Sequence, residues 1–115
     1  MKVAFQDDRE VWRSSVSKIL MHRGCSVEVF DADQHIDIRA ARAFDVIIMD
    51  NVLGVEPSGY ERLCKLRELG FKKQLILYTA TPNDLRDVGT RKDIHVVSKR
   101  SFIDRAMKKI GIQFN

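Results

Sequence analysis

The sequence predicts an α/β protein built on one doubly wound, five-stranded parallel sheet with helices on both faces. Three observations predict it. Short apolar runs alternate with stretches of helical period along the 115 residues, and such alternation implies parallel strands joined by right-handed crossovers. Two of the runs, VIIM at 46–49 and QLILY at 74–78, have the composition of strands covered on both faces. The length suits one ordinary domain, and a chain that is 44% hydrophobic and 31% charged is neither wholly disordered nor a membrane protein.

The elements follow in order. KVAFQ at 2–6 is a short apolar strand. Trp12, Val16, Ile19 and Leu20 then fall at i, i+4, i+7 and i+8, one stripe of a helix, and Gly24 supplies its stop. CSVEVF at 25–30 is strand-like. Asp31 to Asp33 offer caps for a second helix that turns Ile36, Ala40, Ala43 and Phe44 inward. The third strand, 46–49, runs into a turn-rich loop at 50–58 that contains Gly54 and Pro57. Tyr60, Leu63, Cys64, Leu66 and Leu69 line a third helix ending at Gly70. After the fourth strand at 74–78, Thr81-Pro82-Asn83-Asp84 opens a short fourth helix that Gly89 interrupts. IHVV at 94–97 is the last strand, and Ser101 caps a final helix with Phe102, Ala106 and Ile110 on its inner face.

Composition narrows the function classes. The apolar runs fall far short of the roughly 20 residues needed to cross a bilayer, so no membrane association is expected. Met1-Lys2 leads straight into a strand rather than a signal segment. Cys25 and Cys64 have no metal or redox spacing and read as buried, reduced thiols of a cytoplasmic protein. The first 50 residues hold seven Lys/Arg against nine Asp/Glu, and the remainder thirteen against seven. A basic second half suits an acidic protein surface or plain solvation. No aromatic residues interleave with the cations, and no helix-turn-helix is present, so direct nucleic-acid binding is not expected. No GxxxxGK[ST] occurs, which excludes a P-loop nucleotidase.

In doubly wound sheets the functional residues lie just past the carboxyl ends of the strands. Asp7 and Asp8 follow strand 1, Asp50 strand 3 and Thr79 strand 4, with Ser98 and Lys99 at the end of strand 5. Each has an ordinary reading alone: a cap, a turn residue, a solvated lysine. Their conjunction at one sheet edge is what carries information. Three clustered carboxylates repel, and burial strengthens the repulsion. Mg²⁺ resolves the conflict, because it takes oxygen ligands and keeps waters that phosphate oxygens can replace. Lys99 adds a fixed positive charge and Thr79 a hydroxyl donor. Such a site suits a phosphoryl group carried on a carboxylate.

VAFQDD, DVIIMD, LILYTA and VVSK, with Gly59-Tyr60 after Asp50, together resemble the motifs of a response regulator receiver domain, the phospho-acceptor of two-component signalling. The resemblance spans residues 1–115 as a single domain. It implies the flavodoxin-like fold with strand order 2-1-3-4-5. It implies that Asp50 is phosphorylated and that Asp7, Asp8 and Asp50, with the backbone carbonyl of Val52, hold Mg²⁺, Asp8 as a direct ligand. Thr79 would hydrogen-bond the phosphoryl group and Lys99 would pair with it. The donor would be a sensor histidine kinase or a phosphotransfer protein, with acetyl phosphate as a second route. The chain would be an acceptor rather than an enzyme. Whether the chain is a stand-alone regulator or a piece of a longer protein, output would run through a downstream protein or a homodimer at the helix 4–strand 5–helix 5 face, where Lys99, Arg100, Arg105, Lys108 and Lys109 make a basic cluster.

Several positions depart from the family pattern. Arg100 follows Lys99 where proline is usual, Gly54 replaces a loop proline, and Val96 takes a strand-5 position that is usually aromatic. The chemical site is intact, but the usual relay from Thr79 through an aromatic is not. These departures leave open a second reading, a degenerate receiver that acts as a phosphorylation-independent adaptor. Val52 and Thr81, which should flank the site, offer no carboxylate or amide to position water, so a long-lived phosphoryl group is expected. A haloacid-dehalogenase-type phosphatase would need Asp-x-Asp after strand 1. An FMN protein would need a Ser/Thr/Gly-rich loop there, and the acidic segment QDDREVW would repel a phosphate.

Overall fold

Side chains alternate between the two faces of a strand, and here that alternation splits the core in two. The computed structural model describes residues 1–80 and 92–99. Within them β1 (Lys2–Gln6), α1 (Glu10–His22), β2 (Ser26–Phe30), α2 (Ile38–Ala41), β3 (Val46–Asp50), α3 (Gly59–Glu68), β4 (Gln74–Thr79) and β5 (His95–Ser98) follow in sequence. The strands form one parallel sheet in the order β2-β1-β3-β4-β5. Val3, Phe5, Val46, Ile48, Ile76, Tyr78 and Val97 face α1, where Val16 and Leu20 cover them. Ala4, Ile47, Met49, Leu75 and Leu77 face the other way, onto Leu63 and Leu66 of α3 and onto Ile36, Ala41 and Phe44. β3 is buried along its whole length, as its β-branched composition requires. β2, at the sheet edge, is the most exposed strand.

Both long helices stop where expected. Gly24 and Gly70 follow their ends with φ of 90° and 100°, a region that side chains other than glycine's rarely enter. α3 starts with a Ser58–Glu61 capping pair: the Ser58 Oγ accepts the Glu61 N–H at 3.2 Å. Arg67 of α3 then ties the connections together, donating to the carbonyls of Phe71, Lys73 and Asp93.

The second helix is shorter than its period suggests. The Asp31 carboxylate accepts the N–H groups of Asp33 and Gln34 at 3.0 and 3.2 Å, closing a turn rather than capping a helix. The buried Gln6 amide holds that turn by donating to the carbonyls of Asp31 and Gln34 at 2.8 and 2.7 Å. α2 begins only after Asp37, which accepts the Ala40 N–H at 2.8 Å. Ala40 and Ala43 are exposed, and Ile36, Ala41 and Phe44 carry the buried stripe. Cys25 and Cys64 are free thiols, Cys25 buried and Cys64 only half-buried. The expected fourth and final helices, Thr81 and the basic residues Arg100, Arg105, Lys108 and Lys109 lie outside the described residues.

Candidate functional site

The same alternation aims the site. Residues 3, 5 and 7 of the first strand and its extension share a parity, as do 46, 48 and 50, and 97 and 99. Asp7, Asp50 and Lys99 therefore continue the rows that face α1 and leave the sheet on one side. Asp50 ends β3 in register with Tyr78. Thr79 ends β4 in register with Ser98 of β5.

Asp7, Asp50 and Thr79 are all but fully buried, whereas Asp8 is exposed. Oxygens of Asp7, Asp8 and Asp50 lie within 4.8 Å of one another. Lys99 Nζ donates to Asp50 Oδ2 at 3.0 Å and lies 3.7 Å from Asp7 Oδ2. The other oxygen of Asp50 accepts the Val52 N–H at 3.2 Å. Asp7 Oδ1 accepts the Arg9 N–H at 2.8 Å, which turns the chain into α1, and Asp7 Oδ2 accepts the Tyr78 hydroxyl. Arg13 Nη1 donates to the Asp7 carbonyl at 2.7 Å. Asp8, Arg9, Asp50, Val52, Thr79, Ala80 and Lys99 surround an open cleft of about 280 Å³.

Electrostatics follow from this crowding. Burial pushes the Asp7 carboxyl up to about 6, with Asp50 and Asp8 adding to the rise and the Arg9 N–H and Lys99 opposing it. Burial also raises Asp50, against the hydrogen bond and charge of Lys99 and the Val52 N–H. Two buried acids whose charge is disfavoured, beside a third at the surface, form an all-oxygen donor set with surplus negative charge. That set fits a hard divalent cation.

The expected acids, Val52, Thr79 and Lys99 come together, while Thr81, expected to flank them, lies outside the described residues. Asp8, Asp50, Val52, Thr79 and Lys99 line the cleft, and Asp7 lies behind them. Val52 turns its side chain outward, 64% exposed, so its backbone is what faces Asp50.

Sequence reasoning missed three supporting residues. Trp12 and Tyr78 read only as core. A tyrosine closing an otherwise aliphatic strand was the available signal, since a buried phenol needs a partner. Asn51 accepts the Tyr60 N–H at 3.1 Å through Oδ1 and the Gly59 N–H at 2.9 Å through its carbonyl, fastening α3 to the end of β3. Gly59 itself passes so near this turn that a Cβ would lie 2.7 Å from the Asp50 carbonyl carbon and 2.9 Å from Asn51 Cα.

No protein-family profile matches the sequence, and no curated protein does. Solved structures do resemble it, and several of them are response regulator receiver domains. A receiver domain protein from Clostridium thermocellum is 17% identical with a TM-score of 0.81, the match covering 95% of this chain and 90% of that one. The Francisella response regulator 1452 receiver domain is 21% identical with a TM-score of 0.71, covering 96% and 93%. The Thermotoga maritima response regulator TrrA, solved in complex with Mg²⁺-BeF, is 18% identical with a TM-score of 0.67, covering 95% and 97%. The five-stranded sheet with its 2-1-3-4-5 order is the flavodoxin-like receiver fold of these neighbours.

Proposed function

We propose that this chain is a phospho-accepting signalling module. Asp50 takes a phosphoryl group from a phosphohistidine of a sensor histidine kinase or phosphotransfer protein, and the new charge switches a protein–protein surface. The observation that carries the reading is the Lys99 ammonium bonded to a buried Asp50 carboxylate within a three-carboxylate cluster. In the transfer, an Asp50 oxygen attacks phosphorus while the P–N bond to the imidazole breaks, and the imidazole leaves with that electron pair. Asp7, Asp8 and Asp50, with the Val52 carbonyl, would hold Mg²⁺, which when bound supplies charge neutralisation at the phosphoryl oxygens. Lys99 pairs with the incoming group, the Val52 N–H orients the acceptor carboxylate, and Thr79 offers its hydroxyl to a phosphoryl oxygen.

The chain is then an acceptor, modified once per phosphoryl group, rather than an enzyme acting on a separate substrate. Its output runs through a protein target or a second copy at the helix 4–strand 5–helix 5 face, and its place is the cytoplasm. Among the described residues no helix is long and apolar enough to cross a membrane. The test is intact mass after incubation with acetyl phosphate and Mg²⁺. The expected result is one added phosphoryl group, lost in Asp50→Asn and in metal-free buffer. An unmodified wild type, or equal labelling of Asp50→Asn, overturns the proposal.

A further inference from the structure

The cation of the site rests on aromatic rings. Lys99 Nζ lies 4.9 Å from the Trp12 ring centroid and 5.0 Å from that of Tyr78, inside the range of about 6 Å over which a ring face attracts an ammonium. The two rings are 6.2 Å apart and inclined at 49°. Tyr78 stacks on Phe5 at 5.3 Å and 20° and is fully buried, so the core backs the seat. The Tyr78 hydroxyl also reaches Asp7 Oδ2, the oxygen that faces Lys99. One phenol thus presents its face to the ammonium and its hydroxyl to a carboxylate.

A lysine stem is flexible, and its ammonium is a point charge without a fixed direction. Its carboxylate partners alone leave it free to favour Asp7 or Asp50. Rings fixed on α1 and β4 remove that freedom. We propose that Trp12 and Tyr78 are positioning residues of the acceptor site: their ring faces hold Lys99 against Asp50, and the Tyr78 hydroxyl orients the Asp7 carboxylate. This rests on the acceptor reading for its purpose, but its geometry can be read in the resting protein. Plain core packing is the competing account. A leucine would satisfy packing at position 12 while offering no face to a cation.

The chain has one tryptophan, so its emission reports the seat directly. In full-length protein without Mg²⁺ or phosphodonor, Lys99→Met alters the Trp12 emission intensity, because an ammonium against an indole perturbs its excited state. Identical emission in the two proteins overturns the seat. Labelling by acetyl phosphate, followed by mass, then falls about fivefold in Trp12→Leu and less in Trp12→Phe, which keeps a ring face. A wild-type rate in Trp12→Leu overturns the positioning role. Tyr78→Phe keeps the ring and removes the hydroxyl. It leaves the Lys99-dependent emission in place and changes the calorimetric Mg²⁺ affinity by at least about threefold; unchanged affinity overturns the Asp7 half. Should wild-type Asp50 take no phosphoryl group, the acceptor reading falls, and the emission comparison still decides the seat.

Discussion

Asp7 illustrates how one side chain can serve a site at the expense of the fold. Its carboxyl titrates near 6 in the folded chain against an ordinary 3.8, so the native state holds this proton more firmly than the unfolded chain does. The sign follows by linkage. The contribution of Asp7 to stability is fully present below about pH 3.8 and is lost as pH rises through about 6. Asp50, raised in the same direction by burial, adds to the trend. In metal-free buffer, urea unfolding should therefore show stability falling across this window. Asp7→Asn should flatten the profile and raise the stability measured at neutral pH. A profile unchanged by that substitution would place the burden elsewhere. The legibility of single residues was uneven. The acids, Thr79 and Lys99 announced themselves by standing at the ends of four of the five strands. Tyr78 and Trp12 did not, because their partners Asp7 and Lys99 lie on elements remote in sequence, and apolar periodicity cannot distinguish a ring that packs from one that also holds a cation.

At the scale of elements, the turn from β3 into α3 is the most constrained segment near the site. Gly59 lies against the Asp50 backbone, and Asn51 bonds both Gly59 and Tyr60. Gly59→Ala must push the start of α3 away from Asp50. Its expected cost in chemical denaturation is about 2–3 kcal/mol, with a drop in Asp50 labelling that thermodynamic loss alone does not explain. Ser58→Ala, one residue earlier, removes only the cap, at about 1 kcal/mol, and should leave labelling of the folded protein intact. β3 and β4 were legible because burial on both faces fills them largely with β-branched and aliphatic side chains. α2 was not. Ala40 and Ala43 match a helical stripe by composition, yet Asp31 spends its carboxylate on a turn that Gln6 anchors from β1. Local hydrogen bonding by Asp outcompeted an apolar period of which two of the four members, Ala40 and Ala43, are alanines whose burial is worth little.

For the molecule as a whole, a metal that binds only the folded state must stabilise it by mass action. The effect is about 2.7 kcal/mol at a hundredfold excess over the dissociation constant. The thermal unfolding midpoint should accordingly climb with Mg²⁺ concentration. Asp8→Ala, at an exposed position, should largely abolish the climb while leaving the metal-free midpoint nearly unchanged; a climb that survives it would remove Asp8 from the ligand set. The two-layer division of the core has a further consequence. Phe5, Tyr78 and Trp12 form a continuous column on the α1 side, beneath Asp7, Asp50 and Lys99, whereas Thr79 continues the Leu75–Leu77 row of the opposite layer, so the cleft straddles both. A change of side-chain volume in either layer therefore shifts part of the cleft's rim against the rest. Libraries randomised on each side in turn should both yield few variants that keep the Mg²⁺-dependent climb of the unfolding midpoint; many survivors from one side would mean that the rim moves independently of that layer.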